Sequence, residues 1–405
     1  MEPVTHVLTG ACLARAGLNR RAAYATFAMA VAAELPDIDT LWGLRGPIAA
    51  FQHHRGITHT LLGVPFEAAV VVLLAFAVHR WRVMRERKRP RPGVRDGDHV
   101  PVERPLTAAP VRWGLLYGLC IVALLSHLLL DYTNNYGLRP FFPFNPHWYA
   151  ASIVFIFDPA IFVLLLIGLI APAIFRMVGS EVGSRRQAFT GTGWPTAALL
   201  LIVVLWGVRW FEHDRAVHIA MAESLEAPRP PEAADQDASG AQPQTPAPPP
   251  LPTYLSAERA LANPDPLSVF RWYTVTDFGA VYQLERVDTS EQTIEATEGT
   301  YDKPDRSPAV LAAAASRLGR VYVDWSPMPI ITVDRSSAAL QQAMANADEP
   351  APAGGAVVTF RDPRFMGVLP WLSRGNSSPL TGVVVLDRAN RVVFESMDGR
   401  AAPER

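Results

Sequence analysis

Hydrophobic positions are spread unevenly along the chain. Four stretches, roughly residues 60–79, 112–130, 153–175 and 194–212, are apolar over most of their length. Each is close to the roughly 20 residues that a helix needs to cross a bilayer. Two weaker, Ala-rich stretches, about 3–18 and 22–35, come before them. Each predicts a short helix of roughly 20–25 Å at about 1.5 Å per residue. The turn from Leu18 to Arg21 makes the pair a helical hairpin that dips into the membrane. Past residue 212 the pattern changes. Nine prolines from Pro228 to Pro252, set among Ala, Gln and Asp, leave nothing from which a core can be built. Residues 213–252 therefore read as an extended linker. From 253 onward the apolar runs are short. Residues 268–276 and 280–287 predict two strands joined by a turn at Asp277 to Gly279. A helix is expected over 308–318, and strands near 320–325, 329–334, 356–361, 382–387 and 391–396. The fold class is thus an α-helical polytopic membrane domain over 1–212, with four spanning helices plus the N-terminal hairpin. A small α+β or mostly β soluble domain follows over 253–405.

Charge adds orientation. The chain as a whole is nearly neutral, with a formal net charge of −1, so nothing pulls it toward nucleic acid and no nucleic-acid partner is expected. Locally, residues 80–110 hold nine Lys or Arg, 176–193 hold Arg176, Arg185 and Arg186, and the hairpin turn holds Arg20 and Arg21. By contrast 37–59 has Arg45 and Arg55, and 131–152 has Arg139 alone. The positive-inside rule puts the first three segments in the cytoplasm. Residues 37–59, 131–152 and everything after 212 then face outward. The expectation is a multi-pass inner-membrane protein with a periplasmic C-terminal domain. The start, M-E-P-V-T-H, lacks a basic n-region, so insertion is expected to rely on the membrane segments themselves. Cys12 and Cys120 lie in apolar runs, far from any C-x-x-C spacing, and read as buried inert thiols.

The polar residues of the apolar half are grouped. H-H-R-G-I-T-H (53–59) holds His53, His54 and His59, with Arg55 and Thr58 between them. D-I-D (Asp37, Asp39) precedes it and H-L-L-L-D (His127, Asp131) follows. The i, i+4 spacing of His127 and Asp131 stacks both on one helix face. Imidazole with carboxylate is a donor pair for divalent metals, and an ionisable pair at the end of an apolar helix is costly unless paired, coordinated or wet. Pro36 should end the Ala-rich helix, leaving D-x-D on an extended segment that aims both carboxylates one way. His54 and His59 can act together from a loop entering a helix, with Gly56 permitting the bend and Thr58 capping or orienting. Arg55 has the fork geometry of an anion clamp. His53 reads as a bystander, and His147 as part of an interfacial aromatic belt over 141–149. His6 joins only if the hairpin brings it outward. The deduced topology brings His6, Asp37, Asp39, His54, His59, His127 and Asp131 to the outer face.

Taken as an ordered set, T-H-V-L-T-G, E-L-P-D-I-D, H-R-G-I-T-H-T and H-L-L-L-D-Y-T-N-N-Y-G resemble the bacterial family of LexA-regulated, inner-membrane metal-dependent hydrolases, the YdjM-like proteins. The resemblance covers roughly residues 1–212. It implies a membrane-embedded hydrolase with metal ligands at His6, Asp37, Asp39, His54, His59, His127 and Asp131. The family is in turn distantly similar to zinc-dependent phospholipase C and single-strand nuclease enzymes, which points to phosphoester bonds. Two or three divalent ions, zinc foremost, would activate a water and neutralise the developing oxyanion. Asp37 or Asp39 would bridge ions or act as base. Arg55 and Arg139 would hold the substrate anion, and Asn135 would orient water or substrate. A site level with the membrane implies a lipid or lipid-linked phosphoester substrate.

Two other classes compete. Glu67 and Asp158 in apolar segments are the transporter's signature, although Asp158 before Pro159 equally suits a helix cap. A non-catalytic scaffold with a structural metal site would use the C-terminal domain to bind a protein partner. A metalloprotease is disfavoured because H-E-x-x-H is absent from the sequence.

Overall fold

A computed structural model describes the chain apart from residues 88–108, 182–190, 227–253, 346, 348–349, 367–377 and 403–405. Most of the basic segment, Arg185, Arg186 and the Pro-rich 228–252 lie outside the described residues. α1 (Pro3–Arg15) and α2 (Ala25–Glu34) form the expected hairpin across a 3₁₀ turn at Leu18–Arg20. The Glu2 carboxylate caps α1 by accepting from the backbone N–H of Val4 and Thr5, with Pro3 in the first turn. A longer 3₁₀ segment, Leu35–Arg45, leads to α3 (Pro47–His53) and a further 3₁₀ turn at Ile57–His59. The long helices follow: α4 (Gly63–Arg87), α5 (Trp113–Thr133), α6 (Pro159–Glu181) and α7 (Gly193–Met221).

Among the described residues three helices are long and apolar enough to cross a membrane, not the expected four: Gly63–Arg85, Trp113–Thr133 and Gly193–Met221. Pro159–Phe175 is a shorter apolar helix. The expected 153–175 helix starts late because Asp158 caps it, its Oδ1 accepting from the N–H groups of Ala160 and Ile161 at 3.0 and 3.1 Å. Conversely, α7 runs nine residues past 212, so the segment read as linker begins as helix.

Small residues let these helices approach closely. Ala25, Ala28, Ala32, Ala33, Ala68 and Ala123 are buried in the core shared by α2, α4 and α5. A Cβ on Gly10 would lie 2.3 Å from the Met29 carbonyl oxygen, so only glycine fits where α1 crosses α2. The two ends of the bundle differ in chemistry. At one, the Ala23 N–H donates to the Pro110 carbonyl, Tyr24 meets His79 at 3.1 Å and Arg82 lies over the Tyr24 ring. At the other, the Glu2 N–H donates to the Ile156 carbonyl, and the start of α1 meets the ends of α2 and α5.

The C-terminal half is rich in β structure. β1 (Ser224–Glu226) pairs with β2 (Tyr254–Ser256). β3 (Arg259–Pro264), β4 (Arg271–Asp277), β5 (Val281–Asp288) and β6 (Thr293–Asp302) form an antiparallel sheet in sequence order. The expected first strand pair is β4–β5, with Val275 opposite Leu284. α8 (Pro308–Ala314) and α9 (Arg317–Trp325) precede β7 (Ile330–Asp334), α10 (Ser337–Ala343), β8 (Ala356–Arg361), β9 (Gly382–Leu386), β10 (Val392–Met397) and β11 (Arg400–Ala401). The second sheet runs β11-β10-β9-β8-β7. The strand expected over 320–325 is helix. Ser316 accepts from the Gly319 N–H as an N-cap, and Leu318, Tyr322 and Trp325 bury one helical face at i, i+4, i+7 spacing.

That face decides where the domain sits. Tyr322, Trp325, Phe360 and Phe365 share one core with Ile48 and Phe51 of α3 and with Tyr136, just past α5. Trp325 Nε1 donates to the Tyr136 carbonyl at 3.2 Å, and Arg364 Nη1 to the Asn135 carbonyl at 2.8 Å. The C-terminal domain is therefore seated on the loop that leaves α5, beside Asp131.

Candidate metal centre

The polar end of the bundle collects side chains from five segments. α1 supplies His6, the 3₁₀ segment after α2 supplies Asp37 and Asp39, the turn before α4 supplies His59, and α5 supplies His127 and Asp131. His54 and Arg55 come from the end of α3. His6, His59, His127 and Asp131 are fully buried. His6, Asp37 and His127 each offer a ligand atom within 4.8 Å of the others, and so do His59, His127 and Asp131.

The separations are informative. His59 Nε2 lies 3.3 Å from Asp37 Oδ1 and 3.4 Å from Asp131 Oδ2. His127 Nε2 lies 3.5 Å from Asp131 Oδ2 and 3.8 Å from Asp37 Oδ1, and His6 Nε2 lies 3.5 Å from Asp131 Oδ1. None of these makes a good hydrogen bond. His6 Nε2, His59 Nε2, His127 Nε2 and Asp131 Oδ2 have no hydrogen-bond partner among the described residues. Ligand bonds of about 2.0–2.1 Å in a tetrahedron set ligand atoms roughly 3.3–3.4 Å apart. The orphaned atoms of His59, His127 and Asp131 stand near that spacing, and nitrogen with carboxylate is a fitting donor set for zinc and its neighbours.

The far sides of two of the three rings are held, while His6 Nδ1 has no hydrogen-bond partner among the described residues. His127 Nδ1 donates to the Ala33 carbonyl at 2.7 Å, which leaves the Nε2 lone pair facing the cluster. His59 Nδ1 faces Asp39 Oδ2 at 3.2 Å and Thr58 Oγ1 at 3.1 Å. Asp37 and Asp39 are not on the extended segment expected from Pro36 but in 3₁₀ geometry. That places Asp37 on the Nε2 side of His59 and Asp39 on its Nδ1 side. The Asp39 oxygens also accept from the Arg55 backbone N–H at 2.7 Å and face His54 Nδ1 at 3.3 Å. His54 is partly exposed, and its Nδ1 turns to Asp39 rather than into the cluster.

Electrostatics bind the group together. Burial alone would raise the Asp37 carboxyl, but the close approach of His59 and the other nearby imidazoles outweigh it and hold it down to about 2. Burial opposes charge on His59, yet Asp131, Asp37 and Asp39 outweigh it and raise the imidazole to about 10. Asp39 is likewise held low against its burial, by His54 and His59.

The arginines are engaged differently from the anion clamps expected. Arg55 is buried, with Nη2 donating to Asp131 Oδ1 at 2.8 Å and Nη1 to Gly137 O at 2.6 Å and Asn134 Oδ1 at 3.1 Å. It braces Asp131. The Met1 α-amino group also contacts Asp131 Oδ1. Arg139 pairs with Asp324 of the C-terminal domain at 3.4 Å and lies over Trp148. Asn135 is buried against Arg364, its Nδ2 donating to the Arg364 carbonyl at 3.5 Å. His53 stacks on Trp42, and His147 meets Tyr149 edge-on.

Sequence reasoning did not find Ala33, whose part is played by a backbone carbonyl, or Arg364. It also passed over Arg209, which forms a buried pair with Asp158 at 2.9 Å. An arginine inside an apolar helix was a readable signal.

The YdjM inner membrane protein family model matches residues 1–216. The chain belongs to this family. It is a membrane protein whose matched region contains every residue of the cluster. The uncharacterized protein YfhP from Bacillus subtilis (strain 168) is 26% identical over 178 residues, covering 40% of this chain and 43% of that protein. The chain thus spans less than half the length of this curated relative. No solved structure matches the chain.

Proposed function

We propose that this YdjM-family member is a membrane-bound, metal-dependent hydrolase that cleaves a phosphoester in a lipid or lipid-linked substrate. The observation that carries the reading is the convergence of three orphaned Nε2 atoms with Asp37 and Asp131, while Ala33 holds the His127 ring and Thr58 and Asp39 the His59 ring from behind. His6, Asp37, His59, His127 and Asp131 would hold divalent metal, zinc foremost. Five donors suit one or two ions, and a third would find too few. Bound there, the metal would supply Lewis acidity and a water acidified enough to attack phosphorus. Asp39 orients His59, and Arg55 fixes the Asp131 carboxylate through Nη2. Asp37, at the edge of the cluster, is the group best placed to take the proton of an attacking water.

The lipid part of the reading rests on a groove of about 430 Å³ between α1 and α2. Val7, Phe27, Ala30, Val31, Leu35 and Ile38 line it together with Glu34 and Asp37. A mostly apolar groove that shares Asp37 with the polar cluster fits a substrate with a hydrocarbon tail and an anionic head. The Lys and Arg counts favour a multi-pass arrangement in the inner membrane with the centre and the C-terminal domain on the periplasmic side. The transporter reading loses one of its two residues, since Asp158 is engaged by a helix cap and by Arg209. The test is turnover of phospholipids and soluble phosphoesters by zinc- or manganese-loaded protein in detergent. Headgroup release that His127→Ala abolishes would support the reading. Loaded protein that cleaves no phosphoester would refute it.

A further inference from the structure

A second set of orphaned donors lies where α7 meets the four-stranded sheet. In the β4–β5 register Trp272 faces Val287, Thr274 faces Glu285 and Thr276 faces Gln283. Alternate residues of a strand share a face, so these six side chains point the same way. Trp272 and Val287 pack against Ala216 of α7, which identifies that face as the one α7 covers. Further along, Glu285 meets Glu223, two residues past the end of α7. Glu285 and Thr276 are fully buried, Thr274 is 1% exposed and Gln283 4%.

One contact inside this patch is made: Gln283 Nε2 donates to Glu285 Oε1 at 2.7 Å. Gln283 Oε1, Thr274 Oγ1 and Thr276 Oγ1 have no hydrogen-bond partner among the described residues, and Glu285 and Glu223 set carboxylate oxygens within hydrogen-bond reach of each other with no other donor on Glu285 Oε2 or Glu223 Oε2. Buried acceptors without partners are costly, and two facing carboxylates add repulsion. Burial first, and then Glu223, pushes the Glu285 carboxyl up to about 8. The groups that act on Glu285 are Glu223 and Gln283, neither of which carries positive charge.

Two carboxylates, an amide oxygen and two hydroxyls make an all-oxygen donor set with two negative charges. Nitrogen and sulfur, which would select zinc or copper, are absent from it. Hard divalent cations take oxygen ligands of this kind, and calcium accepts six to eight in a flexible arrangement that water can complete. We propose that Glu223, Glu285, Gln283, Thr274 and Thr276 bind a hard divalent cation, calcium foremost, which ties the end of α7 to the sheet. This site is separate from the imidazole cluster, and all five residues lie beyond the region shared with the family.

Terbium is a suitable probe, because Trp272 sits on the same sheet face one pleat from Thr274 and can sensitise its emission. The experiment uses the full chain in detergent with excess zinc present. Expected is one saturable equivalent of tryptophan-sensitised terbium emission that calcium displaces. Glu285→Gln should weaken it roughly tenfold or more, since affinity follows ligand charge, while His59→Ala should leave it intact. Glu223→Gln, at a half-exposed position, serves as the second variant if Glu285→Gln does not fold. Saturable emission that survives both Glu variants would overturn the proposal. So would a wild type without saturable emission, and a melting temperature that then rises on Glu285→Gln would show that the two acids simply share a proton.

Discussion

Asp39 offers the sharpest test of how the centre is organised, because its oxygens face His54 Nδ1, His59 Nδ1 and the Arg55 N–H at once. In the arrangement described, it stands behind His59, on the side away from the proposed metal position. Asp39→Ala removes all three contacts. Loss of a carboxylate that orients a ligating histidine costs about 10–100-fold in metal affinity, or roughly 1.4–2.7 kcal/mol at about 1.36 kcal/mol per decade. It also leaves the buried Arg55 N–H without a partner, which should lower stability by about 1–3 kcal/mol. Asp39→Asn is different. Its amide oxygen can take the place of Oδ2 and keep both the Arg55 and His59 contacts, so only the charge and the His54 contact are lost. Metal affinity measured by competition with a chromophoric chelator should therefore fall in the order wild type, Asn, Ala. Melting temperature should follow the same order. If Asn is as damaging as Ala, and both abolish metal binding, Asp39 is a direct ligand and the positioning account is refuted.

The remaining predictions concern pH and packing. In chelator-treated protein, His59 is raised from 6.5 to about 10, so its stabilising contribution is complete below pH 6.5 and is lost as pH rises toward 10. Asp37 is lowered from 3.8 to about 2, so its contribution is complete above pH 3.8 and is lost as pH falls through 2. Metal must displace the His59 proton, so zinc addition at pH 7 should release protons, seen by calorimetry in buffers of different ionisation enthalpy, and His59→Ala should reduce that release. Gly10→Ala should force α1 from α2, because its Cβ would meet the Met29 carbonyl at 2.3 Å. Metal affinity should fall with it, since His6 and the Ala33 carbonyl ride on those helices, and unchanged affinity would contradict the packing argument. Arg209→Ala leaves Asp158 buried and unpaired, and should destabilise by about 3–5 kcal/mol in denaturant unfolding.

Much of the membrane half was legible because its signals are local. Apolar length marked α4, α5 and α7, and the i, i+4 pair of His127 and Asp131 lies on one face of α5 as its spacing required. Other features depend on contacts distant in sequence. Arg55 had the chemistry of an anion clamp, but Asp131 and Gly137, some eighty residues on, use its donors. Val321, Tyr322, Val323 and Trp325 carry strand propensity, yet a serine cap and the core around Phe360 make them helix. The seating of the C-terminal domain on Asn135 and Tyr136 left no trace in composition or periodicity.

The central claim is that the imidazole cluster is a metal centre. Elemental analysis of detergent-purified protein tests it most directly, comparing wild type with His59→Ala/His127→Ala and with His54→Ala. The account predicts stoichiometric zinc or manganese in wild type, its loss in the folded double variant, and its retention when His54, which turns to Asp39, is replaced. A wild type that holds no metal even after reconstitution, or a double variant that keeps it, would contradict the account.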